Sequence, residues 1–167
     1  MECILFRHGI AADQVEWDGP DDRRPLVPKG IEKTVAAARG LVRLGIEPSH
    51  IWSSPLTRAL QTAKILHTAF RLLSEIDVSE DLRPEAAPER LLDVLARQSN
   101  DACVVCVGHQ PHLGDLAGVS LFGGPVMGLE LKKAGACCIR FNGALKPGEG
   151  VLRWWLTPSQ LRQLAKG

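Results

Sequence analysis

Two short apolar runs, Cys3-Ile4-Leu5-Phe6 and Cys103-Val104-Val105-Cys106-Val107, each give way abruptly to a junction that carries a histidine. The first closes on Arg7-His8-Gly9, the second on Gly108-His109-Gln110-Pro111, with helical periodicity following at once. Runs of this length and composition read as buried strands, and the Gly and Pro residues behind them as turns into helices. A chain that repeats strand and helix in this way is confined to α/β architectures, with parallel strands joined by right-handed crossovers. In such sheets the ligand crevice lies beyond the carboxyl ends of the strands, and both histidines fall there.

A third junction lies between these two. Ser53-Ser54-Pro55-Leu56-Thr57-Arg58-Ala59-Leu60-Gln61-Thr62-Ala63 reads as a strand end, a serine N-cap, proline at the first helical position and an amphipathic helix. Arg58 then falls in the first helical turn, where its guanidinium and the positive end of the helix dipole add up to a site for an anion with several oxygens. Arg7, His8, Arg58 and His109, drawn from three strand-to-helix junctions, can converge on one dianion of phosphate size.

The rest of the chain continues the alternation. After a polar stretch over residues 10–27, Ile31, Val35, Ala38, Leu41 and Val42 mark one face of a helix that Gly45 stops. Residues 51–53 form a short strand, and Leu56, Ala59, Leu60, Ala63 and Leu66 face inward on the helix after it. Ile76–Val78 is a further strand. Pro88 opens a helix carrying Leu91, Leu92 and Leu95, and Pro111 one carrying Leu113, Leu116 and Ala117. The runs Ala136–Phe141 and Val151–Leu156 flank a turn-rich segment from Asn142 to Gly150 and predict an antiparallel hairpin, so the sheet should be mixed. With no repeat, linker or low-complexity tract, residues 1–167 are expected to form one domain.

A formal net charge of only +1 gives no global field for nucleic acid or an anionic membrane, so any phosphate affinity has to be local. No leader or bilayer-length apolar run is present, which makes a cytoplasmic protein the expectation. The five cysteines, an odd number, do not form a closed disulfide framework. Cys103 and Cys106 sit three apart in a strand and so point to opposite faces, which argues against a redox or zinc pair.

Taken together, Arg7-His8-Gly9, Ser54-Pro55 with Arg58-Ala59 and Gln61-Thr62-Ala63, and Gly108-His109-Gln110-Pro111 resemble the histidine phosphatase superfamily, and within it the small phosphohistidine phosphatases of the SixA type. Arg24-Pro25-Leu26 followed by Gly30, Leu82-Arg83-Pro84 and the closing Leu152-Arg153-Trp154-Trp155-Leu156-Thr157-Pro158 extend the resemblance along nearly the whole chain. It implies a three-layer, phosphoglycerate-mutase-like α/β fold with a mostly parallel mixed sheet and helices on both faces. It also implies a protein phosphatase acting on phosphohistidine, with a phosphorylated protein such as a histidine phosphotransfer domain as partner.

The chemistry of the residues agrees with those implied roles. Phosphoryl transfer asks a protein mainly for positioning and for cations around the equatorial oxygens, which Arg7, Arg58 and His109 can supply. His8 is then the nucleophile: a neutral imidazole attacks phosphorus, and water later hydrolyses the phosphohistidine intermediate. Cations crowded around His8 should hold its pKa below the ordinary value of about 6.5 and favour the neutral form. No metal and no cofactor is needed where arginines carry the charge. His112, one residue past Pro111, is a weaker candidate for the same pocket, and the sequence leaves open whether it lines it.

The general acid is where the chain departs from the wider superfamily, whose mutases and sugar-phosphate phosphatases use a glutamate between the arginine helix and the second histidine. Here that segment reads Leu82-Arg83-Pro84-Glu85-Ala86-Ala87-Pro88, and Glu85 does not match the glutamate-rich pattern. Asp13, Glu16 and Asp18 are further candidates, although the acidic loop holding them, with Asp21 and Asp22, is expected to be solvated. A departing imidazole needs less protonation than an alkoxide, so a weak or missing acid points to phosphohistidine. Only residues 59–108 separate Arg58 from His109, too few for a long cap, so the site should be open. A monomer is expected. The alternatives are a small-molecule phosphomonoesterase of the same fold and a noncatalytic phosphoprotein-binding module.

Overall fold

A computed structural model describes residues 1–166. Strands β1 (Glu2–Arg7), β2 (His50–Ser53), β3 (Ile76–Val78), β4 (Cys103–Gly108), β5 (Ala136–Phe141) and β6 (Gly150–Leu156) form one sheet in the order β3-β2-β4-β1-β5-β6. The first four in that order run parallel, whereas β5 is antiparallel to both β1 and β6. The helices are α1 (Pro28–Arg43), α2 (Thr57–Phe70), α3 (Pro88–Leu95), α4 (His112–Phe122) and α5 (Pro158–Leu164). The mixed sheet and the closing hairpin stand as the sequence predicts.

Period-two alternation in the strands builds two cores. Ile4 and Phe6 of β1, with Val105 and Val107 of β4, pack against Ala38 and Leu41 of α1, Ala63 and Leu66 of α2 and Leu161 of α5. Cys3 and Leu5, with Val104 and Cys106, point to the other face and meet Leu91 and Leu95 of α3 and Leu113 and Leu116 of α4. Removing each large aliphatic side chain from water stabilises the fold by about 1.5–3 kcal/mol, so both faces must be covered and three layers result. Cys106 belongs to the α3/α4 core while Cys103 packs toward the other, and all five thiols are free.

Two local expectations need correction. On α1 the buried stripe is Gly30, Thr34, Ala37, Ala38, Gly40 and Leu41, and Ile31 and Val42 are each 42% exposed. The stripe of small residues wins because the main chain of Ile10 passes against Gly30 and that of Leu161 against Gly40, where a Cβ would collide. Helix α2 begins at Thr57, with an extended Leu56 before it, and the sequence places its start two residues too early. The Ser54 hydroxyl accepts from the Leu56 N–H at a long 3.4 Å, ahead of the helix, and makes its shorter contact, 2.8 Å, with His109 Nε2, so it does not cap α2. Helix α5, too short for periodicity to announce, is opened by Pro158 and by a capping box between Thr157 and Gln160.

Candidate active site

β2, β4 and β1 lie side by side and parallel, so their carboxyl ends deliver Ser54, His109 and Arg7-His8 to one edge of the sheet. The main chain sets these junctions: Ser54 N–H donates to Val107 O at 3.0 Å and His8 N–H to Gly108 O at 3.0 Å. From the far side of β1, the Ala134 N–H reaches Arg7 O at 3.0 Å and His8 O at 3.1 Å. Ala134 does this from a left-handed conformation, φ 61°, which a residue with a Cβ adopts only where its surroundings impose it. Helix α2 is tied to the same place through Thr62, whose hydroxyl accepts from Gly9 N–H at 3.0 Å and donates to Arg58 O at 2.8 Å.

A cleft of about 550 Å³ opens here, lined by Arg7, His8, Arg58 and His109 together. The sequence assigns these four residues to the site, and the fold brings all four to it. His8 and His109 present their rings 5.0 Å apart, centroid to centroid, at 55° to each other. His8 Nδ1 lies 2.7 Å from the carbonyl oxygen of Gly9, so Nδ1 carries the proton and donates it there. Nε2 is left with the lone pair. His109 Nε2 lies 2.8 Å from the Ser54 hydroxyl, while its buried Nδ1 has no protein partner. Arg7 Nη1 donates to Leu131 O at 2.7 Å and lies 3.7 Å from Glu130.

Both imidazoles are held neutral. Burial pushes His8 down to about 3; the Gly9 hydrogen bond works against this, and the charges of Arg58, Arg7 and Lys133 reinforce it. Burial likewise pushes His109 down to about 2, aided by His8 and Arg58. The expected direction is right but the leading cause differs: desolvation outweighs the neighbouring cations.

Asp13 lines the cleft; Glu16 and Asp18 do not. Glu85, 70% exposed, sits 3.9 Å from Arg83 and outside the lining, to which Pro84 contributes instead. His112 is buried, but it is not among the cleft-lining residues either, and both its ring nitrogens lack a partner. The first loop is not simply solvated: Asp21 reaches Arg58 at 3.0 Å and Arg24 at 2.8 Å. Asp21, Arg24, Gln110 and Lys133 all line the cleft without standing out in the sequence as site residues. Arg24, in the Arg-Pro-Leu triplet, and Gln110, in the Gly-His-Gln-Pro motif, carried a usable signal.

This arrangement, two arginines and two neutral histidines at the carboxyl edge of a parallel sheet, defines a phosphate-handling hydrolase, and the comparisons agree. Residues 3–86 match the model of the histidine phosphatase superfamily (branch 1). The chain belongs to that superfamily and is a phosphatase by class. It is 42% identical over 146 residues to an uncharacterized protein of Picosynechococcus sp. (strain ATCC 27264 / PCC 7002 / PR-6), covering 86% of this chain and 87% of that one. Its fold is similar to that of the protein histidine phosphatase SixA complexed with tungstate, with a TM-score of 0.83 and 25% identity over 96% of this chain and 99% of that one. A phosphoserine phosphatase from Entamoeba histolytica, in complex with 3-phosphoglyceric acid, shares the fold at a TM-score of 0.71 and 19% identity over 96% and 98% of the two chains.

Proposed function

We propose that the protein removes phosphate from phosphohistidine on another protein, with His8 as the nucleophile. The observation that carries this reading is the pairing of His8 Nδ1 with Gly9 O, which leaves Nε2 unprotonated inside a cleft walled by Arg7, Arg58 and His109. The Nε2 lone pair forms the new P–N bond as the bond from phosphorus to the substrate imidazole breaks, and the leaving imidazole takes a proton from water. Water then attacks phosphorus on His8, phosphate departs, and the electron pair returns to Nε2. Arg7 and Arg58 hold the equatorial oxygens. His109 stands beside them, held through Nε2 by the Ser54 hydroxyl at 2.8 Å.

The substrate class is favoured by what surrounds the cleft. Glu85 stands away from it, so the carboxylate expected to protonate an alkoxide is missing from that segment. Imidazole leaves without such help. The similar SixA structure, a protein histidine phosphatase holding the tetrahedral oxyanion tungstate, supports the same reading. A small-molecule phosphomonoesterase is the second reading, and the observation in its favour is Asp13, a carboxylate that does line the cleft.

Parallel kinetics on a phosphohistidine peptide and a panel of sugar phosphates decide between the two. The peptide should show the higher kcat/KM, and quenched wild-type enzyme should carry acid-labile, base-stable phosphate that folded His8→Ala lacks. Higher kcat/KM for sugar phosphates would move the assignment to the second reading; turnover by folded His8→Ala would remove His8 from its role.

A further inference from the structure

A second cleft, of about 600 Å³, adjoins the phosphate cleft and shares Arg7, Ile10 and Lys133 with it. Five of its ten lining residues, Arg7, Lys33, Lys132, Lys133 and Arg162, are cations, and none is a carboxylate, in a chain whose formal net charge is only +1. A third cleft of about 470 Å³ continues from it, sharing Lys33, Ser159 and Arg162 and adding Arg39 and Lys166 against the single acid Glu32. Lys132 pairs with Glu130 at 3.7 Å, whereas Lys33, Lys133, Arg39 and Arg162 form no ion pair among the described residues. The groove follows α1, the segment before β5 and α5. It is held in shape where Gly40 lets the main chain of α5 lie against α1. Lys133 ties it to the chemistry, because its charge acts on His8.

We infer that this basic groove binds an acidic segment of the phosphorylated protein while the phosphorylated side chain occupies the phosphate cleft; the occupant rests on the phosphoprotein reading above. Clefts that run on from one another are more than one phosphate ester fills, and unpaired cations spread along them match carboxylates spread along an extended chain. Nucleic acid fits less well: no aromatic residue lines the second or third cleft to stack a base, and Asp13 and Asp21 at the phosphate cleft would repel a phosphodiester chain. Exposed ion pairs are individually weak, so the groove acts through several together, chiefly on encounter and on choice of partner, and salt weakens it.

Fluorescence anisotropy at low ionic strength, with a labelled unphosphorylated peptide of alternating Glu and Gly and its Gln-for-Glu counterpart, reads the groove directly. The Glu peptide should bind about tenfold or more tightly than the Gln peptide, as expected for several weak charge pairs acting together. The Lys33→Glu/Arg162→Glu double variant should abolish that preference while hydrolysing an aryl phosphate within about twofold of wild type, since neither side chain lines the phosphate cleft. If that variant misfolds, Lys33→Gln/Arg162→Gln carries the same comparison. Equal binding of the two peptides by the wild type, or a preference that survives in the folded variant, overturns the inference. So does tighter binding of a single-stranded oligonucleotide than of the Glu peptide. Failure of phosphohistidine peptides as substrates would strike the catalytic reading alone, because the binding readout requires no turnover.

Discussion

Asp21 holds Arg58 with two of its oxygens: the carboxylate Oδ2 lies 3.0 Å from Nη2, and the backbone carbonyl accepts from Nη1 at 2.9 Å. The other carboxylate oxygen accepts from Arg24 Nε at 2.8 Å, and Arg24 Nη1 donates in turn to Ala12 O at 2.8 Å. A buried guanidinium at the cleft is thereby held in one orientation, as the proposed preorganised stabilisation of a phosphoryl group requires. Asp21→Ala should lower kcat/KM for an aryl phosphate about tenfold, within the range of a charged hydrogen bond, and Asp21→Glu should recover part of it. Steady-state kinetics on folded variants check this. An unchanged kcat/KM in Asp21→Ala would show that the carbonyl contact suffices.

In the proposed reading Arg58, the α2 residue that lines the cleft, holds a phosphoryl oxygen. Arg58→Ala should cost on the order of 100-fold or more in kcat, the usual loss of a preorganised donor, and Arg58→Lys should recover little because a point charge does not reproduce the fork. Activity should be indifferent to chelator if Arg7, Arg58 and His109 carry the charge stabilisation. Loss of activity on chelation, restored by a divalent ion, would contradict that assignment.

The four residues that sequence reading selects were legible because each follows directly from a strand end or a helix start, where direction is set by local rules. Arg7, His8 and His109 need only the ends of β1 and β4, and Arg58 stays in the first turn of α2 even though the helix starts at Thr57. Asp21 and Lys133 were not legible. Asp21 reaches Arg58 through a loop whose path depends on the Ala11–Leu26 bridge, and Lys133 enters through the turn before β5. The stripe on α1 misled for a similar reason: hydropathy favours Ile31 and Val42, while close approach of α5 and the Ile10 main chain favours glycine and alanine.

Stability should fall in mild acid. Unfolded imidazoles titrate near 6.5, whereas folded His8 and His109 take up a proton only at about 3 and about 2. Between pH 6.5 and those values the unfolded chain binds protons that the folded chain excludes, so stability drops with falling pH by about 1.4 kcal/mol per unit for each histidine. Above pH 6.5 both states are neutral and this dependence vanishes. Urea unfolding at pH 7, 6 and 5 measures the slope, and His8→Asn/His109→Asn should reduce it, leaving the part contributed by His112, whose proton affinity burial also lowers. A wild-type stability that is level from pH 7 to 5 would mean that the buried rings are protonated at little cost.

The last expectation concerns the leaving group. Glu85 is exposed and paired with Arg83, and Asp13 is the member of the four proposed acids that lines the cleft. Glu85→Gln should therefore change kcat/KM for phosphohistidine less than about tenfold, below the 100-fold to 10,000-fold that a working general acid contributes. Asp13→Asn should likewise leave phosphohistidine turnover within about tenfold, because imidazole departs without an acid, and should affect only esters with poor leaving groups. The pattern across leaving groups is the decisive measurement. If Asp13→Asn slows phosphohistidine and alkyl phosphates alike by 100-fold or more, proton donation limits both, and the leaving-group argument for phosphohistidine no longer holds.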